Sequence, residues 1–134
     1  MKNLIQLHDR IINKDYIYYA EKDSKNNKLI INTPIKNMVV SFRSNARFIR
    51  GTNFLRRVGF IDIESKLINS DKIFELYSYK ENENEYIHII FDNNQYLDIL
   101  LTEYKLKDTL NDIALMLSDE MSNDNIFPLL DNKI

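Results

Sequence analysis

Cysteine is absent, which excludes a disulfide framework, a thiolate nucleophile and any cysteine-held metal cluster. Tryptophan is absent too, and the 134 residues contain only two glycines and two prolines, against usual shares of about 7% and 5%. A phosphate-cradling loop cannot be assembled from Gly51 and Gly59 alone, so the glycine-rich nucleotide motifs drop out. Histidine is as scarce, with His8 and His88 the only two, and a metal or acid–base centre needs converging imidazoles or carboxylates. His8 falls in an apolar stripe and His88 in an alternating run, so both read as boundary histidines without catalytic duty. The serines show no nucleophile elbow. No apolar run approaches the roughly 18 residues of a membrane span. The N-terminal apolar stretch is broken by His8, Asp9 and Arg10, unlike a secretory signal. The expectation is a cytoplasmic, non-enzymatic protein with no cofactor, no metal and no membrane contact.

What is present is a hydrophobic share of 44% and a charged share of 28%, the balance of a folded soluble chain. The length predicts one domain spanning residues 1–134. Asparagine is abundant and paired at Asn26-Asn27 and Asn93-Asn94, and it takes over turns that glycine would otherwise make, because its short amide tolerates positive φ. Rich Ile, Asn, Lys and Tyr beside poor Gly, Ala and Pro is the imprint of an AT-rich coding sequence, from a microbe or its phage.

Apolar spacing gives the expected elements. Leu4, Ile5, Leu7, His8, Ile11 and Ile12 recur at three and four, which predicts a helix over residues 2–13. Tyr16 to Tyr19 reads as a strand running to the turn Asp23–Asn27, with Lys28–Asn32 as its hairpin partner and Lys36–Arg43 as a third strand after Thr33-Pro34. Ser44-Asn45 caps an irregular helical segment that Gly51-Thr52-Asn53 interrupts and Gly59 ends. Phe60–Glu64, Lys72–Lys80, Tyr86–Asp92 and Tyr96–Thr102 alternate as strands. Ile87, Ile89, Phe91, Leu97, Ile99 and Leu101 are the expected core of the last pair. Leu106, Leu110, Ile113 and Leu117 predict a C-terminal amphipathic helix capped by Thr102. The assembled expectation is an α+β domain: an antiparallel sheet of six to seven strands with an N-terminal helix, an irregular helical segment after the third strand and a C-terminal helix.

Glu64-Ser65-Lys66 has the Glu-x-Lys spacing with which metal-dependent nucleases hold Mg²⁺ and orient water. Such a site needs an acid on the preceding strand, and none occurs between Ser24 and Phe60. That same gap is the strongest signal in the chain. Residues 24–60 carry Lys25, Lys28, Lys36, Arg43, Arg47, Arg50, Arg56 and Arg57 with no acid, where an even spread would place about five. Residues 61–134 carry sixteen acids and six lysines. Five of the six arginines lie between Arg43 and Arg57, interleaved with Phe42, Phe48 and Phe54, a mixture suited to protein hot spots, phosphates and stacked bases.

Three readings follow. The arginines pair internally with the acidic half. They grip an acidic protein partner, as small inhibitors and immunity proteins do. Or the tract 36–57 binds nucleic acid, against an overall pI near 5.7. The favoured reading is a non-enzymatic interaction domain, an inhibitor, immunity or accessory protein that occludes a protein partner through Arg43, Arg47, Arg50, Arg56, Arg57 and Phe48. Nucleic-acid binding is the alternative.

Residues 122–134 form a tail in which Ile126, Phe127, Leu129 and Leu130 follow a polar gap. Burying each apolar side chain is worth about 1.5–3 kcal/mol, against about 1–2 kcal/mol per ordered backbone residue. The tail is therefore expected to dock on the domain, on a second copy or on a partner. Cutting the chain after Met121 is expected to lower the melting temperature or dissociate a homodimer. Unchanged stability and mass would show an undocked tail.

Overall fold

The structure, a computed structural model, describes residues 3–102. The chain divides into two compact units, Met1–Lys72 and Ile73–Ile134. The described residues are mostly β, with ten strands in three sheets and a single α-helix, so the expected α+β arrangement is overturned, its N-terminal helix included. The expected helix over 106–117 and the tail 122–134 lie outside the described residues.

In the first unit, strands β1 (Leu4–Leu7) and β2 (Arg10–Asn13) form a hairpin where the spacing predicts a helix. Two four-residue strands around a two-residue turn reproduce spacings of three and four, so period alone could not separate the two forms. Burial separates them. Ile5 sits opposite Ile12, and both are buried with Leu7. Leu4 and Ile11, which a helix would put on one buried face, are 56% and 70% exposed. The turn is made by His8 at φ 55°, in the left-handed region.

The five-stranded sheet has the order β5-β4-β3-β7-β6 and is antiparallel throughout. Its strands are β3 (Tyr19–Asp23), β4 (Lys28–Asn32), β5 (Asn37–Ser41), β6 (Phe60–Ile63) and β7 (Lys66–Asn69). β4, β5 and β6 lie where the sequence places strands, while β3 begins at Tyr19 and not at Tyr16, because Lys14–Tyr16 forms a short 3-10 helix. β7 was missed, because Leu67, Ile68 and Asn69 are buried in succession and Lys66–Asn69 shows no alternation. Its place beside β3 is secured by buried Asn69, whose amide donates to the carbonyls of Lys14 and Ile17 and whose Oδ1 accepts from the Asp71 amide.

Helix α1 (Asn45–Arg57) crosses from edge strand β5 to edge strand β6 without a break. Ser44 caps it through its Oγ, which accepts from the Arg47 amide at 3.2 Å, and Gly59 follows its end at φ 108°. The break expected at Gly51 does not occur. Thr52 is buried and its hydroxyl donates to the Ile49 carbonyl within the helix. Phe48, Thr52 and Leu55 form the inward face, and Phe48 and Leu55 join Ala20, Leu29, Ile31, Val40, Phe60 and Leu67 in one core.

In the second unit, β8 (Ile73–Glu81), β9 (Asn84–Phe91) and β10 (Tyr96–Leu100) form an antiparallel meander in the order β10-β9-β8. Of the six expected core residues, Ile87, Ile89, Phe91, Ile99 and Leu101 are buried and Leu97 is half-buried. Asparagine does replace glycine at the turns: Asn27, Asn82 and Asn94 all have positive φ.

A buried-edge ion cluster fastens α1 to the sheet. Asp62 on β6 accepts from Lys22 Nζ at 2.7 Å and from Arg56 Nη2 at 3.1 Å, and its second oxygen takes Arg56 Nε. Burial pushes the Asp62 carboxyl up, but the hydrogen bonds from Arg56 and Lys22 outweigh it and hold it below its ordinary 3.8. A carboxylate lowered in this way adds stability above its unfolded value and loses that contribution as pH falls through the folded value. Asp62→Ala is expected to cost about 1–3 kcal/mol at neutral pH, with the gap from the parent protein closing below about pH 4. Urea unfolding at stepped pH measures both.

Candidate binding site

At about 100° per residue, burying Phe48, Thr52 and Leu55 sends the remaining positions of α1 to three places. Arg56 goes to one flank, where Asp62 takes it up. Arg50 and Arg57 point away from the core and are exposed. Arg47, Gly51 and Phe54 fall on the other flank, at i, i+4 and i+7.

That second flank borders an open cleft of about 370 Å³. The helix lines it with Arg47, Arg50, Gly51 and Phe54, and Phe42 joins them from the segment before Ser44. Gln6, Leu7 and His8 line the opposite side from the β1–β2 hairpin. No carboxylate and no hydroxyl side chain lines the cleft among the described residues.

Gly51 explains both the glycine and the unbroken helix. A Cβ built there would lie 2.7 Å from Phe42 Cζ and 2.9 Å from Cε2, so the ring rests directly on helix backbone. Phe42 is held from beneath by an edge-on contact with buried Phe48 at 6.0 Å and faces the His8 ring at 5.9 Å. Arg57 reaches over the Phe54 ring, 5.9 Å from its centroid.

The sequence-predicted residues therefore separate. Arg47 and Arg50 meet in the cleft, and Arg57 adjoins it through Phe54. Arg43 is exposed just before the N-cap. Arg56 is consumed by Asp62, and Phe48, 4% exposed, supports Phe42 instead of facing outward. Among the described residues, internal pairing accounts for Arg56 alone; Arg43, Arg47, Arg50 and Arg57 have no carboxylate partner there.

No protein-family model, curated protein or solved structure matches this chain. What the cleft does follows from its own chemistry.

His8 and Gln6 were not foreseen as site residues. A helix over 2–13 put His8 in a buried stripe, and only the hairpin turn brings it to α1. In the Glu64-Ser65-Lys66 spacing, Glu64 has φ 55° in the β6–β7 turn, and Lys66 Nζ lies 2.6 Å from Glu21. No group of three or more His, Asp or Glu placed to hold a metal occurs among the described residues. Nor is any helix there long and apolar enough to cross a membrane. In the second unit His88 Nδ1 lies 2.6 Å from Asp98 Oδ1, and Tyr79 donates to that same oxygen at 3.2 Å.

Gly51→Ala sets two terms against each other. Alanine favours the helix interior by about 1 kcal/mol, while the added methyl displaces the far end of the Phe42 ring. Stability is expected to stay within about 1 kcal/mol of the parent, while the His8 ring protons shift strongly as Phe42 moves. Urea unfolding and proton NMR measure the two effects, and an unmoved His8 signal would contradict the contact.

Proposed function

We propose that the chain is a non-enzymatic interaction domain of the cytoplasm that binds and occludes an acidic protein partner through Arg43, Arg47, Arg50 and Arg57. The observation that carries this reading is Arg47. It occupies the third position of α1 after the Ser44 cap, where glutamate would complete a capping box and oppose the partial positive charge of the helix terminus. The first turn contains no acid at all. Arginine there works against helix stability, and Arg43 and Arg50 add like charge nearby. Such a local conflict is expected at a binding surface, where a partner supplies the missing carboxylates.

Arginine is among the side chains enriched in protein hot spots, and phenylalanine is enriched in interfaces relative to the rest of a protein's surface. Nucleic acid remains the alternative for the same four arginines, and salt dependence separates it, because phosphate contacts release counterions.

Arg47→Glu is expected to act in opposite directions on stability and binding. It completes the capping box and should stabilise the fold by about 0.5–1 kcal/mol. In affinity capture from the native host followed by mass spectrometry, it should lose an acidic protein that the parent chain retains. A variant that is less stable, or that retains the same partner, counts against the reading. Binding of random duplex or single-stranded DNA at physiological salt with a Kd of about 1 μM or tighter, lost in Arg47→Ala/Arg50→Ala/Arg57→Ala, would move nucleic acid into first place.

A further inference from the structure

The cleft is built for more than charge. Had α1 evolved only to present arginines to a flat acidic surface, their neighbours would be indifferent, yet two phenylalanine rings line the cleft beside the guanidinium and polar groups. Phe42 and Phe54 are half-buried in it, and Leu7 behind them is fully buried. Phe42 is also held on three sides. Phe42 is fixed by Gly51 below, Phe48 at its edge and His8 across from it.

Size narrows the occupant. About 370 Å³ is near the lower end of the roughly 300–1,000 Å³ of small-ligand sites. That is room for a single large side chain. A bare carboxylate would use Arg47 and Arg50 but leave the phenylalanine wall facing water. An aliphatic side chain would fill the wall without using the guanidinium planes. An aromatic ring does both, meeting the phenylalanines edge to face and offering its own face to a guanidinium.

We propose that the cleft receives one aromatic side chain of the partner, flanked in that partner's sequence by carboxylates that meet Arg47 and Arg50. This rests on the reading of the arginines as the face for an acidic protein. It makes the cleft the anchoring point within that face, and the recognised element is an acidic segment with a central aromatic residue. The complementarity is one of charge as well as shape, since the cleft holds two unpaired guanidinium groups and no carboxylate of its own among the described residues.

The test uses the full chain, uniformly labelled for NMR, titrated with two capped pentapeptides, Glu-Glu-Phe-Glu-Glu and Glu-Glu-Ala-Glu-Glu, and with adenosine monophosphate. The phenylalanine peptide is expected to bind at least about tenfold more tightly than the alanine peptide. Its shift changes should centre on the Gly51 amide and on the His8, Phe42 and Phe54 rings. Equal affinity for the two peptides overturns the aromatic anchor and leaves the acidic-partner face standing. Binding of adenosine monophosphate more tightly than either peptide overturns it in favour of a nucleotide. Failure of both peptides to bind at millimolar concentration overturns the anchor and the acidic-partner face together.

Discussion

The binding surface depends on one packing constraint, the burial of Phe48, Thr52 and Leu55 of α1 against the five-stranded sheet. Removing Phe48 and Leu55 from water is worth about 1.5–3 kcal/mol each, and that burial fixes the rotation of the helix about its axis. Once it is fixed, every other helical residue has its direction assigned. Arg56 must face β6, Arg50 and Arg57 must face solvent, and Arg47, Gly51 and Phe54 must border the β1–β2 hairpin. The Asp62 cluster locks the same rotation from the opposite flank, because a planar guanidinium held by both oxygens of a carboxylate tolerates little turning.

The electrostatics follow from that rotation. Five arginines are close in sequence, yet one is neutralised structurally and four remain without a carboxylate among the described residues. The distinction is geometric: only position 56 reaches Asp62. Stability and surface chemistry therefore pull apart within one helix. Its last turn carries Arg56 and Arg57, which suit the negative end of the dipole, while its first turn carries Arg47 where an acid would suit the positive end.

The second unit shows a different division of labour. One face of its meander buries Leu76, Ile87, Ile89, Phe91 and Ile99. The other carries Tyr77, Tyr79, Tyr86, His88 and Tyr96 as a continuous set of ring contacts, with Tyr79 and Tyr86 stacked at 5.0 Å and His88 and Tyr96 at 5.3 Å. Cross-strand register makes this possible, since Tyr77 faces His88 and Tyr79 faces Tyr86. Residues 73–102 contain six carboxylates against Lys80 alone, so the charge asymmetry of the chain persists within this unit.

Strands with a sustained alternation were legible in the sequence, because side chains two apart share a face whatever the sheet does: Phe60–Ile63, Asn84–Phe91 and Tyr96–Leu100 are close to where their pattern puts them. The Ser44 cap, the asparagine turns and the acid-free stretch of arginines were legible for equally local reasons. Long-range contacts decided the rest. Leu4, Ile5, Leu7, Ile11 and Ile12 satisfy helical and hairpin spacing alike, and the core's need for Ile5 and Ile12 on one face chose the hairpin. Gly51 reads as a helix break until Phe42 is seen lying across it. His8 reads as buried until the turn brings it to Phe42. Composition and pattern determined that the chain would expose a basic, aromatic segment, since charge and periodicity are carried by residues near one another. Which arginines lack a carboxylate among the described residues, and that Arg47 and Arg50 share a cleft with His8 and two phenylalanines, only the tertiary structure decided, because those contacts join segments whose sequences do not record each other.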